Sequence, residues 1–437
     1  MAEGDVTREP NIIEKALCEM FPTEWLRNAA QETGLIKRER KIVPEVMFWV
    51  LTLSFGVRLQ RSLASLKRSY EKASDETLSD SSWYYRFTPE LVSFLKACVI
   101  HAIEHLAKEQ NRVLNKRLDK FHDVLIQDST IIRLHESLSK KWPAARSRKV
   151  AAGVKVGTLV SAVADGPKCV TICPESTNDL KTMRIGPWIK DRIILLDLGF
   201  FKYQLFTRIK ENGGYFVSRL KNNADPFIIA VNRTHRGRSI DVKGKYLSEI
   251  LPKLKRQVLD VEVEVSFKRR SYKDKQKKDI EQFRLVAIFN EEDEKYHVYL
   301  TNISLDVLES EEVAKLYGAR WEVELIFKEL KSKYALDVVN TTNEQIVKAY
   351  IWIAILTLMV SRRIYTVVRK LNPGKKMVRY TQLRWSTIFA ENASDQLTVI
   401  LRYIGIARTF ETIADVYERQ ALDPHVNRHR FREEWWA

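Results

Sequence analysis

Two aspartates and a glutamate stand where carboxylate chemistry can be assembled. Val124-Leu-Ile126 runs into Asp128 and Ile193-Ile-Leu-Leu196 into Asp197, so each aspartate reads as the end of an apolar strand. Short, continuously apolar runs of this kind read as strands buried on both faces. A carboxylate beside such a strand is costly unless something compensates its charge, and a metal ion is one such compensation. Oxygen ligands suit Mg²⁺ or Mn²⁺. Taken singly, either Asp is better explained as the cap of the turn or helix that follows it.

The segment Leu316–Tyr334 reads as one helix and carries the third carboxylate. With Tyr317 at zero and about 100° per residue, Arg320 falls near ~300°, Glu324 near ~340° and Lys331 near ~320°, a stripe about 60° wide. Leu316, Val323, Phe327, Leu330 and Tyr334 form a packing face on one side of the stripe, and Trp321 and Leu325 flank the other. A polar stripe bordered by apolar residues suits a cleft; charge pairing along a solvated face is the alternative. Glu322 and Glu329 project near ~140° and ~120°, away from the stripe, and read as surface positions.

Tyr317, two residues, Arg320, three residues, Glu324, six residues, Lys331 resembles the tyrosine–arginine–glutamate–lysine signature of the insertion-sequence-four family of DDE transposases. Asp128-Ser-Thr130 resembles that family's first-aspartate motif. Asp197-Leu-Gly-Phe200, with Phe216-Val-Ser-Arg-Leu-Lys221 after it, resembles the second. The resemblance covers roughly residues 120 to 335. It implies a ribonuclease-H-like core with a β-rich insertion between the second Asp and the Glu. By the same resemblance Asp128, Asp197 and Glu324 would hold two Mg²⁺ ions, with Mn²⁺ able to substitute, for phosphodiester cleavage and strand transfer. Tyr317, Arg320 and Lys331 would bind phosphates near the cleaved end, and Arg219 and Lys221 would be further DNA contacts. Two departures stand out. Leu198 occupies a position where the family often has Arg, and the strand before the signature offers Tyr296, His297 and Tyr299 but no tryptophan to stack a flipped base.

The elements that must position these residues form an α/β chain with a mixed sheet and flanking helices. Residues 1–115 read as helical. Within them the basic segment Gly34–Lys41, a helix at Val46, a helix over Ser62–Lys72, a turn at Ala73–Glu76 and Leu78–Phe87 with Trp83, Tyr84, Tyr85 and Arg86 suggest a helix-turn-helix DNA reader. Residues 116–221 hold the first part of the catalytic core: strands near Val124–Ile126, Val154–Val163, Val170–Cys173 and Ile193–Leu196, a helix over Tyr203–Lys210 and a strand over Tyr215–Lys221. Residues 222–295 form the β-rich insertion. There Val261, Val263, Val265 and Phe267 alternate with Asp260, Glu262, Glu264 and Ser266, the period of a half-buried strand, and Lys268–Lys278 is a charge-dense turn. Residues 296–372 complete the core with the strand Tyr296–Ile303 and a long helix Glu344–Lys370. Pro373-Gly374 opens a mainly helical region, 373–437.

Composition fits a nucleic-acid partner. Lys and Arg number 73 against 56 Asp and Glu, a net charge of +17, and such an excess favours polyanions through counterion release. The resemblance narrows this to double-stranded DNA, as element inverted repeats and target, and implies a homodimer that joins two ends. Four scattered cysteines argue for buried thiols in a reducing cytoplasm, near the nucleoid, rather than for disulfides or zinc. Val46–Val57 and Ile351–Val360 are apolar but fall short of the ~20 residues a membrane span needs. A nuclease without strand transfer and a domesticated DNA-binding protein are the alternative functions.

Overall fold

In the computed structural model, helices precede and follow one large sheet. The structure describes residues 11–406 apart from 39–40, 55–61, 75, 77, 110–111, 146–149, 235–239, 269–277 and 373–379. The central part of the charged turn Lys268–Lys278, the opening of the C-terminal region at Pro373-Gly374 and everything after 406 therefore lie outside the described residues.

The N-terminal helices are α1 (Ile12–Met20), α2 (Thr23–Glu32), α3 (Pro44–Ser54), α4 (Leu63–Ser74), α5 (Asp80–Tyr84) and α6 (Pro89–Lys108). The strands follow: β1 (Asp123–Leu134), β2 (Ala152–Ser161), β3 (Gly166–Pro174), β4 (Arg192–Leu196), β5 (Tyr215–Arg219), β6 (Phe227–Val231), β7 (Val258–Lys268), β8 (Lys278–Asn290) and β9 (Lys295–Thr301). Between them lie α7 (Tyr203–Glu211) and the single turn α8 (Leu247–Ile250). After them come α9 (Ser310–Gly318), α10 (Trp321–Ser332), α11 (Glu344–Leu371) and α12 (Gln382–Tyr403). The sheet order is β3-β2-β1-β4-β5-β9-β8-β7-β6, with β1, β4 and β5 parallel and the other neighbours antiparallel. The strands between the second Asp and the Glu thus extend the same sheet through β9.

Side-chain alternation divides the core into two layers. Val124, Ile126, Ile193 and Leu195 pack with the N-terminal helices, α9–α12 and one another. Leu125, Ile194 and Leu196 point the other way, onto Phe206 of α7, Phe216 and the inner residues of β7 and β8. The N-terminal helices share the first of these cores with the helices that follow the sheet, and α6 packs along α11.

Several expectations need correction. Asp128 does not end its strand, because β1 continues to Leu134 on its pairing with β2. Asp260 is not on a polar face: it is buried and takes up Arg284, whose Nη2 lies 2.5 Å from Oδ2, and the Ser310 hydroxyl at 2.7 Å. Strand periodicity cannot register this ion pair, because β8 and the start of α9 supply it. Of the cysteines, Cys98 is buried but Cys169 is exposed and Cys18 and Cys173 are half-buried; all four are free. The apolar stretch near Ile351 belongs to a 28-residue helix long and apolar enough to cross a membrane, and that stretch is buried throughout within the protein.

Candidate active site

The strand register brings the two aspartates together. Parallel pairing of β1 with β4 ends at Gln127 opposite Leu196, so Asp128 and Asp197 follow at the same level on adjacent strands. Asp128 shares the side of Val124 and Ile126, and Asp197 that of Ile193 and Leu195. Both carboxylates therefore look toward the layer in which Val323 and Phe327 of α10 are packed.

The expected single helix over Leu316–Tyr334 is two. Between α9 and α10, Arg320 N–H donates to Tyr317 O at 3.0 Å and Glu322 N–H to Ala319 O at 2.9 Å, a tightened turn of i→i−3 bonds. Gly318 favours the break, since glycine costs a helix interior about 1 kcal/mol relative to alanine. α10 stops before Ala335, whose φ of 55° is left-handed, and Leu336 N–H closes back on Leu330 O. The start of α9 is tied to the sheet by Ser310 on Asp260.

Arg320 is the hub of the site. Its Nη2 lies 2.5 Å from Glu324 Oε1 and its Nη1 3.4 Å from Asp128 Oδ2, so one guanidinium spans two carboxylates. Its carbon lies 6.0 Å from the centre of the Tyr317 ring. Burial raises the Asp128 carboxyl to about 6. Ser129 N–H and Arg320 pull it down, and the charges of Asp197 and Glu324 push it further up. Burial likewise raises the Tyr317 hydroxyl to about 12, with Arg320, Asp197 and Arg219 close enough to act on it. At neutral pH that phenol is a hydrogen-bond donor.

The other sequence candidates are placed as follows. Lys331 donates from Nζ to Ile131 O of β1 at 3.1 Å. Arg219 ends β5 opposite Tyr299 of β9. Lys221 lies past β5 with Nζ 5.9 Å from the Phe201 ring, so the structure does not bring it into contact with the carboxylates. Tyr299 is buried 5.3 Å from the Tyr317 ring, Tyr296 bonds Leu254 and Arg256 carbonyls, and His297 pairs with Asp293.

Glu322 and Glu329 are not surface residues. Glu322 is mostly buried and faces Arg112 at 3.2 Å, and Glu329 is fully buried with Arg362 Nη2 2.5 Å away. The wheel placed them away from Glu324; that side of the helix faces Arg112, between α6 and β1, and Arg362 of α11 instead of water.

Sequence reasoning missed Lys155 and Asp179, and placed Ser129 in the first-aspartate motif without giving it a role. Buried Lys155 donates to Asp179 Oδ1 at 2.7 Å and to Thr177 O at 2.6 Å, and Ser129 Oγ meets the same Asp179 oxygen at 3.3 Å. A side chain at Gly199 would put its Cβ 3.3 Å from Asp179 Oδ2 and 4.0 Å from Asp197 Oδ2, so glycine lets the two loops close. A signal existed: Lys155 is the lone charge in an apolar strand, and a buried charge requires a partner.

Among the described residues no three carboxylate, imidazole or thiol groups form a ready-made metal cage. The donor set nevertheless fits a hard divalent cation. It is carboxylate oxygen alone, and Asp128 stands in the field of two further negative charges, Asp197 and Glu324, with Arg320 acting against them.

Residues 119–360 match the family model described as transposase DDE domain. The chain is 22% identical over 395 residues to the transposase for insertion sequence element IS231F of Bacillus thuringiensis subsp. israelensis, covering 81% of this chain and 80% of the relative. It is 20% identical to that for IS231B of Bacillus thuringiensis subsp. berliner, covering 95% and 94%. It is 22% identical to that for IS1151 of Clostridium perfringens, covering 80% of each. A cryo-EM structure of the piggyBac transposase synaptic complex with hairpin DNA superposes with a TM-score of 0.46 at 12% identity, over 95% of this chain and 86% of that one.

Proposed function

The chain belongs to the DDE transposases, DNA-cutting and strand-transferring enzymes that use divalent metal ions, and from that premise we propose that Asp128, Asp197 and Glu324 are its catalytic carboxylates. The observation that carries the assignment is the Arg320 guanidinium bridging Asp128 and Glu324 on the side of the sheet to which Asp197 also points. A positive group already sits where positive charge is needed.

The cofactor is two Mg²⁺ ions, replaceable by Mn²⁺, held by the three carboxylates. When bound, they activate the attacking water or 3′-hydroxyl and stabilise the leaving oxygen of an in-line displacement at phosphorus. Arg320, whose guanidinium spans Asp128 and Glu324, would offer its planar fork to a phosphate of the DNA end. Tyr317, protonated at neutral pH, donates a hydrogen bond beside it. Lys331 and Arg219 add positive charge at the rim, which holds the DNA backbone in register. Lys155 and Asp179 steady Ser129, and through it the Asp128 backbone.

The substrate ends are the terminal inverted repeats of an insertion sequence, and two copies of the chain hold two ends. Residues 1–115 read end sequence, with exposed Tyr84 and Tyr85 at the surface of α5 and beyond it. The work is done on the chromosome, in the cytoplasm.

The test is single-turnover cleavage and joining of a pre-bound end. Glu324→Gln is expected to lose several orders of magnitude in both steps while binding the end as the parent does. Ca²⁺ is expected to permit binding with little cleavage. Cleavage by the parent in EDTA, or parental rates in Glu324→Gln, overturns the assignment.

A further inference from the structure

Glu324 needs a fixed direction, and the backbone leading to it passes through a tightened turn in which Ala319 and Arg320 keep right-handed helical angles. α9 is held by its own anchor, the Ser310 hydroxyl donating to the Asp260 carboxylate that Arg284 also pairs with, but the tightened turn at Ala319-Arg320 interrupts the i→i−4 pattern before α10 starts. A turn of this kind shifts the rotational phase, because each i→i−3 step departs from the i→i−4 step by about 20°. Anchors on α10 itself hold that phase.

Two buried ion pairs on the far side of the helix are placed to do so. Near its start, Glu322 meets Arg112 Nη1 at 3.2 Å, and the same guanidinium is 2.5 Å from Asp165 beyond β2. Near its end, Glu329 meets Arg362 Nη2 of α11 at 2.5 Å and accepts from the Tyr334 hydroxyl at 2.9 Å. Tyr334 in turn lies 2.9 Å from Ser361, which also receives Trp385 Nε1 of α12 at 3.0 Å. Nε and Nη1 of Arg362 find no hydrogen-bond partner among the described residues, so Glu329 is its direct partner, with Asp165 acting on its charge from farther off.

We infer that Arg112–Glu322 and Arg362–Glu329 clamp α10 at both ends and thereby aim Glu324 at the metal-binding position. These four are positioning residues; none touches the reacting atoms. Apolar packing alone tolerates rotation and sliding of a helix, because dispersion contacts are numerous and weakly directional. A buried ion pair with hydrogen bonds does not, since any shift uncovers charge in a medium that cannot solvate it. Glu322 and Glu329 are seven residues apart, nearly two turns, so together they fix both rotation and height. The inference rests on the assignment of Glu324 made above.

The test uses the full chain with Glu329→Met and Arg362→Met combined, a replacement of a buried pair by apolar groups that folds commonly tolerate. Three quantities are read: hydrogen exchange of α10 amides without metal, Mn²⁺ binding by electron paramagnetic resonance, and single-turnover cleavage of a pre-bound end. The expected result is faster exchange confined to α10, with Mn²⁺ affinity and cleavage each down by about 10- to 100-fold and end binding retained. Arg362→Lys, which keeps the charge, is expected to recover most of both. Parental exchange and parental Mn²⁺ affinity in the double variant overturn the clamp. If the double variant does not fold, Glu322→Gln decides, with about a 3- to 10-fold loss expected in the same readouts and parental values refuting. Glu324→Gln run in parallel separates the two ideas: parental cleavage there removes the assignment of Glu324, whereas the exchange data judge the clamp alone.

Discussion

Asp128→Asn should make the metal-free protein more stable at neutral pH while abolishing cleavage. Burial is the main cause that raises the Asp128 carboxyl from 3.8 to about 6, and the charges of Asp197 and Glu324 add to it. The folded chain therefore holds this proton more tightly than the unfolded chain. Stability from the proton is fully present below about pH 4 and is lost as pH rises through about 6. At 1.36 kcal/mol per pKa unit, the ionised group burdens the fold at pH 7.5 by about 3 kcal/mol. Solvent screening is slight, because the side chain is only 20% exposed. Asparagine keeps an oxygen for Ser129 N–H, now 2.7 Å from Asp128 Oδ1, but turns an amide toward Arg320, which now lies 3.4 Å from Oδ2. The net gain should be about 1–2 kcal/mol after that loss. Urea denaturation in EDTA at pH 7.5 and pH 4.5 measures it. The variant should lead at pH 7.5, and most of the lead should be gone at pH 4.5. Mg²⁺ should stabilise the parent and leave the variant unmoved. A variant no more stable than the parent at pH 7.5, or a lead that is the same at both pH values, refutes the electrostatic account.

Three further outcomes follow from the geometry. Arg320→Ala should weaken the complex with a cut end by about 1.5–3 kcal/mol, and binding to random duplex by much less; competition binding with both DNAs decides, and equal loss would leave Arg320 a general attraction only. Lys155→Met strands Asp179 beside Ser129, so single-turnover cleavage should fall about 10-fold or more with end binding intact; a parental rate would show that the pair does not steady the site. Tyr85→Ala combined with Arg86→Ala should reduce discrimination of end sequence from random DNA without changing the salt dependence of non-specific binding by more than about one phosphate contact. Point changes are the right instrument here, because the N-terminal helices share a core with α11 and α12 and their deletion would expose it.

The strand runs before Asp128 and Asp197 were legible because a strand buried on both faces must be apolar at every position, and no other part of the chain is needed to see it. The spacing of Arg320, Glu324 and Lys331 was legible because residues four and seven apart on a helix share a side wherever the helix lies; Tyr317 joins them from α9 across the turn. The sequence also pointed to a nucleic-acid partner through net charge, which is additive over residues and needs no coordinates. What it did not contain was the answer to each charge. The partner of Lys155 is 24 residues away, that of Asp260 24 away, that of Glu329 33 away and that of Glu322 210 away. A helical wheel gives a side chain's direction but not what stands there, so Glu322 and Glu329 read as solvated when they are buried. The β1–β4 register that sets Asp128 level with Asp197, and the break that separates α9 from α10, were likewise decided only in three dimensions. Pairing and burial are relations between distant segments, and their energies depend on the dielectric that the assembled fold creates around them.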